Sequence, residues 1–214
     1  MPTGPSICIL LAALSALAGR EEAPANSDPA VVAAEHHRLS DELQRLVERQ
    51  IWVGAEHKFR ACEALAVALE FRDLLNGAYA ARGLGDAAAS YERLRKAAVL
   101  EASKEVVDWL WALDTLYGKV VLSTNPPKGV ELRAEALPFA PDQRAAVEFA
   151  ATRLRNEGRF EGLLPSGSYV LGDIPFQVVP GVAIQIEAAT KRLRTREPRP
   201  QEPPPPTPDR NGQL

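Results

Sequence analysis

Apolar residues recur at helical spacing through the first half of the chain and at alternate positions through the second. Leu39, Leu43, Leu46 and Val47 form the first stripe, with Arg38, Asp41, Glu42, Arg45 and Glu48 on the opposite face. Asp28-Pro29 marks the start of that helix, because an Asp carboxylate accepts from the free amides of a first turn and Pro suits the first helical position. Trp52, Ala55, Phe59, Cys62 and Ala66 form a second stripe, and Gly54 is a candidate for the break between the two. Phe71, Leu74, Ala78 and Ala81 then make one helix face, and Tyr91, Leu94 and Ala98 make another. "RGLGD" between them is a tight turn, in which Gly85 can take a left-handed conformation and Asp86 can cap the next helix.

"SKEVVDWLWALDTLYGKVVLS" is apolar on two sides. Val106, Trp109, Leu110, Leu113, Leu116 and Tyr117 cover one broad face, and Val107 and Trp111 cover another. A helix with two apolar faces is usually held between neighbours. Trp109, Trp111 and Tyr117 are therefore expected to form a structural joint between the helical part and the C-terminal part, in preference to an aromatic platform for a ligand.

At Tyr117-Gly118 the period changes to alternation. "KVVLSTNPPKGVELRAEALPF" predicts a strand, a turn at Asn125-Pro126-Pro127-Lys128-Gly129 and a second strand. An amphipathic helix over about 141–157 comes next and closes at Gly158. Short strands return in "RFEGLLPSGSYVLGDIPFQVVPGVAIQIEA", where "LPSGSY" is expected to open a hairpin with Tyr169 packed inward. The predicted fold is α+β: an N-terminal helical bundle over 29–117, then a small antiparallel β-domain over 118–189 with one inserted helix.

The ends of the chain read differently. Ile7 to Leu17 is apolar but too short to span a bilayer, which takes about 20 residues. Ala16-Leu17-Ala18 has the small-x-small pattern of a leader cleavage site, so 1–18 is read as a signal peptide and 19–28 as a linker. The protein is accordingly expected in the periplasm, in the cell envelope or outside the cell. Over 190–214, Lys191, Arg192, Arg194, Arg196 and Arg199 precede four prolines, Pro203 to Pro206. Such composition predicts a disordered tail, one that can make weak contact with anionic surfaces.

Composition adds exclusions. The 214 residues carry a net charge of -3, which argues against nucleic acid as a partner. With Cys8 inside the expected leader, Cys62 is left alone, with no disulfide, and its place on an apolar stripe predicts a buried thiol. There is no His-Glu-x-x-His, Cys-x-x-Cys, Gly-x-Ser-x-Gly or phosphate loop. Glu35-His36-His37 and Glu56-His57 are the only metal-like groupings, and their charged surroundings predict solvated histidines. No catalytic residue, metal or cofactor is therefore assigned. Two other classes remain open: a small-ligand binder using Trp52, Trp109 or Trp111, and a hydrolase without a local motif.

The Gly85-Asp86 turn, with Ala97 about twelve residues on, resembles a tetratricopeptide helical hairpin. "VVLSTNPPKGVEL", "LLPSGSYVLG" and "FQVVPGVAIQIE", spanning about 70 residues from Lys119 to Ala188, resemble a PEGA-type β-domain, a small surface sandwich of exported bacterial proteins. The chain as a whole resembles exported proteins of myxobacteria-like genomes, a resemblance that implies no activity. Together these resemblances imply a non-catalytic role in protein–protein interaction or scaffolding at the cell envelope, with a protein as partner.

Overall fold

The computed structural model describes residues 28–125, 130–136 and 140–189. The expected leader over 1–18, the linker before Asp28, the turn residues 126–129 and the tail over 190–214 lie outside the described residues. The protein is α+β: among the described residues five helices come first, and two three-stranded sheets with a sixth helix come after them.

Local chemistry sets the helix ends. Helix α1 (Pro29–Glu48) starts where the Asp28 side chain accepts from the amide of Ala30 at 3.0 Å. It stops at Gln50, whose φ of 57° is left-handed, and α2 (Trp52–Ala64) begins two residues later. The break therefore falls before Trp52, and Gly54 sits inside α2, where a helix tolerates a glycine. Helix α3 (Phe71–Leu84) opens with a reciprocal box: the Glu70 side chain accepts from the Asp73 amide, and Asp73 accepts from the Glu70 amide at 3.1 Å. It ends at Gly85, left-handed with φ 83°. Asp86 then caps α4 (Ala87–Leu100) through the amide of Ala89 at 3.0 Å. Ser103 caps α5 (Lys104–Leu116), which runs directly into strand β1 (Tyr117–Asn125).

The first core cluster holds α1 to α4 together through Leu43, Ala55, Phe59, Leu74, Ala80 and Ala97. At its centre the Phe59 ring lies on the backbone of Gly77 and under the guanidinium of Arg93, 3.9 Å from the ring centroid. Arg93 is buried, donates to both carboxylate oxygens of Glu56 at 2.6 and 2.8 Å, and donates to the Gly77 carbonyl at 2.7 Å. Burial works against the Glu56 carboxylate, but hydrogen bonds from Arg93 and Arg60 outweigh it and hold the group below the usual carboxylate range.

The remaining elements are β2 (Leu132–Ala134), α6 (Pro141–Glu157), β3 (Arg159–Pro165), β4 (Gly167–Leu171), β5 (Ile174–Val178) and β6 (Ala183–Ala189). One sheet has the order β3-β1-β6 and the other β2-β4-β5. All described pairs are antiparallel except β1 with β6, which run parallel with Val120 opposite Ile184. Both sheets and α6 close on one core that contains Val120, Leu122, Val147, Leu154, Leu164, Tyr169 and Leu171.

"LPSGSY" leads into a hairpin, as expected, and also turns a corner between the two sheets. Strand β3 ends at Pro165 in one sheet and β4 begins at Gly167 in the other. Tyr169 does pack inward, and its hydroxyl donates to the Pro165 carbonyl at 2.8 Å across that corner. The β4–β5 hairpin begins inside the stretch, with Gly167 opposite Val178, and turns after Leu171, which stands opposite Ile174.

Helical and β parts share a middle core of Ala78, Ala87, Leu94, Val106, Leu113, Tyr117 and Ala146. Here the expected joint is corrected. Tyr117 is buried and Trp109 is half-buried against this cluster, but Trp111 is 69% exposed and Val107 is also exposed. The reason is where the β part attaches. It continues from α5 directly through Tyr117, while α6 packs on α3 and β3 packs on α4, so nothing described covers the far face of α5. Trp111 lies outside the joint.

Two substitutions probe this packing. Ala normally stabilises a helix interior over Gly by about 1 kcal/mol. At Gly77 a Cβ would fall inside the Phe59 ring, which is fully buried and has nowhere to go. Gly77→Ala is expected to destabilise by about 1–3 kcal/mol, as overpacked cores do, in a urea melt. Trp111→Ala is expected to keep the wild-type stability within about 0.5 kcal/mol in the same assay, as exposed positions do.

Candidate functional site

Tyr79, Arg82 and Gly83 stand at i, i+3 and i+4 on α3 and so share a face. Trp52 at the start of α2 closes one side of a cleft over that face, and Pro141, Asp142 and Ala145 of α6 close the other. The cleft has a volume of about 300 Å³ and is mostly apolar.

Two glycines make it possible. A Cβ at Gly83 would overlap the Trp52 indole, so the missing side chain lets the indole lie on the α3 backbone. A Cβ at Gly85 would overlap the Ala145 carbonyl, so the left-handed glycine that ends α3 is also what lets α6 approach it. Arg82 is fixed from both sides. It pairs with Asp142 at 3.1 Å and lies 5.0 Å from the centroid of the Trp109 ring. The Arg82–Asp142 pair also borders a small recess of about 20 Å³ lined by Ser90, Trp109, Leu113 and Tyr117. Tyr79 sits 4.9 Å from Trp109, centroid to centroid, and its hydroxyl donates to the Glu105 carboxylate of α5.

These positions hold the phenols neutral. Burial, then the hydrogen bond to Glu105 and its charge, pushes Tyr79 up to about 12. Tyr117 is pushed up by burial and then by the charge of Asp142. The cleft thus offers aromatic faces, one anchored cation and one anchored carboxylate. That set suits stacking and directional hydrogen bonding to a bound group. A second groove, of about 510 Å³, runs between Tyr91, Leu113, Asp114, Tyr117, Lys119 and Leu163; it offers two tyrosines and one residue of each charge, but no tryptophan and no arginine.

Of the tryptophans singled out in the sequence, Trp52 lines the cleft and Trp109 backs its arginine, while Trp111 belongs to neither. Tyr79, Arg82, Glu105 and Asp142 did not stand out in the sequence. The spacing in "YAARG" carries a signal for the α3 pair, whereas Asp142 arrives only through the packing of α6.

The histidines need a further correction. His57 is exposed and Glu56 is committed to Arg93. His36 is not solvated: it is 4% exposed, on the same side of α1 as Leu39, Ser40 and Leu43. Its Nε2 lies 3.1 Å from Oδ2 of the fully buried Asp73, whose Oδ1 accepts from the Ser40 hydroxyl. Cys62 is buried as expected, and burial, then the charges of Asp73 and Glu35, push its thiol up to about 11.

Comparison with protein-family models, with curated proteins and with solved structures gives no match. Among the described residues no helix is long and apolar enough to cross a membrane.

All four tyrosines of the chain are shifted upward, Tyr169 to about 12 by burial and Tyr91 by its hydrogen bond to Asp114 and then by burial. A phenol raised on folding favours the folded state below its unfolded value of about 10 and stops doing so as pH rises past it. Stability is therefore expected to be intact up to about pH 10 and to fall between about 10 and 12. The check is phenolate absorbance and circular dichroism recorded together in an alkaline titration. Ionisation of Tyr79, Tyr117 and Tyr169 is expected to coincide with unfolding.

Proposed function

We propose that this is an exported, non-catalytic interaction protein of the cell envelope, and that it holds a segment of a partner protein in the cleft between α2, α3 and α6. The observation that carries the reading is the pinned Arg82, set between Trp109 and Asp142 beside Tyr79 and Trp52. Trp, Tyr and Arg are the residues that dominate binding energy at protein interfaces, and here they converge on one opening.

Other features support the same reading. Gly85 ending α3 and Asp86 capping α4 suit a tetratricopeptide-like unit, a scaffold used for holding partners. Two small sheets after it suit a PEGA-like surface domain. Export rests on the apolar run from Ile7 to Leu17 and on Ala16-Leu17-Ala18. The basic tail adds weak attraction to anionic surfaces, and no cofactor enters this role.

One observation favours a second reading. A cleft of about 300 Å³ is at the lower end of the range of small-molecule sites. In that reading Trp52 stacks on a small ligand and the protein partner is absent.

The test places a photo-crosslinking residue at Pro141, on the rim of the cleft, and at Trp111 as an exposed control. A protein adduct is expected from position 141 and not from 111. The purified partner is then expected to bind Arg82→Ala more weakly by about 2 kcal/mol, roughly thirtyfold in Kd. A small adduct at 141 would favour the second reading. Equal binding by wild type and Arg82→Ala would remove the cleft from the interface.

A further inference from the structure

The opposite end of α3 gathers a different set of groups. Helix α1 packs on α3 there and brings His36 and His37 to Glu70. One potential ligand atom from each residue lies within 4.8 Å of the other two. Neighbouring turns offer cations, but Arg38 is engaged by Glu35 and Glu42, and Arg72 by Asp41 and Ser40. Glu70 has no ion-pair partner among the described residues.

His36 supplies the second observation. It is more than nine-tenths buried, and its Nε2 lacks a partner of hydrogen-bond geometry among the described residues, although Asp73 Oδ2 stands 3.1 Å away. Buried imidazoles are normally satisfied. Asp73 cannot swing to complete that bond, because it is itself held by the Ser40 hydroxyl and the Glu70 amide. Glu70 is fixed too, because its carboxylate accepts from the Asp73 amide in the reciprocal box that starts α3. The box that caps the helix thus aligns a carboxylate with two imidazoles.

We propose that His36, His37 and Glu70 form a site for a divalent transition metal of the zinc class. Two imidazoles and one carboxylate match the ligand preference of Zn²⁺, whereas Ca²⁺ and Mg²⁺ take oxygen ligands almost alone. Three protein ligands leave coordination positions for solvent, and His37 and Glu70 are exposed, which gives the ion a way in. Bound there, the metal clamps α1 to the first turn of α3.

The experiment uses the full chain without a histidine tag, stripped with chelator and titrated with Zn²⁺ by calorimetry and by thermal melting. One equivalent is expected to bind, and the midpoint of melting is expected to rise and to fall again when chelator is added. His37→Gln, at an exposed position, is expected to keep the metal-free melting midpoint and to lose at least about tenfold in Zn²⁺ affinity. His57→Gln, an exposed histidine elsewhere, is expected to bind as wild type does. Absence of saturable binding by the wild type, or equal affinity in His37→Gln, would overturn the proposal. So would loss of affinity in His57→Gln, which would put the metal elsewhere.

Discussion

One buried guanidinium organises the helical part. Arg93 of α4 reaches the carboxylate of Glu56 on α2, the carbonyl of Gly77 on α3 and the ring of Phe59, so a single side chain fixes three helices against each other. A buried ion pair is a weak source of stability, since desolvating two charges offsets much of their attraction. What it supplies is register. The planar fork of an arginine satisfies two carboxylate oxygens in one orientation only. Phe59 can sit beneath it because Gly77 offers bare backbone, so the glycine and the arginine are two parts of one device.

With α3 held in place, both of its ends become useful. Its first turn presents the reciprocal Glu70–Asp73 box to α1, and its last turns present Tyr79, Arg82 and Gly83 to α2 and α6. The cleft exists because α6 belongs to the β part and still docks on the helical part. Gly85 permits that approach and Arg82–Asp142 fastens its edge. The two parts are therefore coupled mechanically through α3 and through the face of α5 that carries Val106, Leu113 and Tyr117, with Trp109 packed against it, and not through the opposite face that carries Trp111.

Much of this was legible in the sequence where a residue acts locally. Asp28-Pro29, Gly85-Asp86 and Gly158 do their work within a few residues of where they stand, and each sits at the expected helix end. The switch to alternation at Tyr117 reads correctly for the same reason. Long-range facts were hidden. Two apolar faces on α5 do not say whether a neighbour arrives to cover the second, and among the described residues none covers Trp111. The pattern "LPSGSY" marks a change of direction but not whether the chain returns to the same sheet, and the Tyr169–Pro165 bond serves a corner between the two. His36 looked solvated because its sequence neighbours are charged, whereas its neighbours one turn on, Leu39 and Ser40, decide its burial. Of the cleft, the sequence pointed to Trp52 and Trp109. Asp142 joins them from 60 residues beyond its partner Arg82.

The parallel pairing of β1 with β6 has a bearing on how the chain assembles. Helices α1 to α5 close on contacts near in sequence, and such structure forms early and quickly. Strand β1 comes next, yet one of its two neighbours is the last described strand, with Val120 waiting for Ile184. Until that strand emerges, β1 has an open edge, and an unpaired edge is a template for the wrong partner. Folding from the N-terminus thus leaves the half-built sheet exposed for most of the β part's synthesis, and β6 acts as the bolt that ends this vulnerable interval.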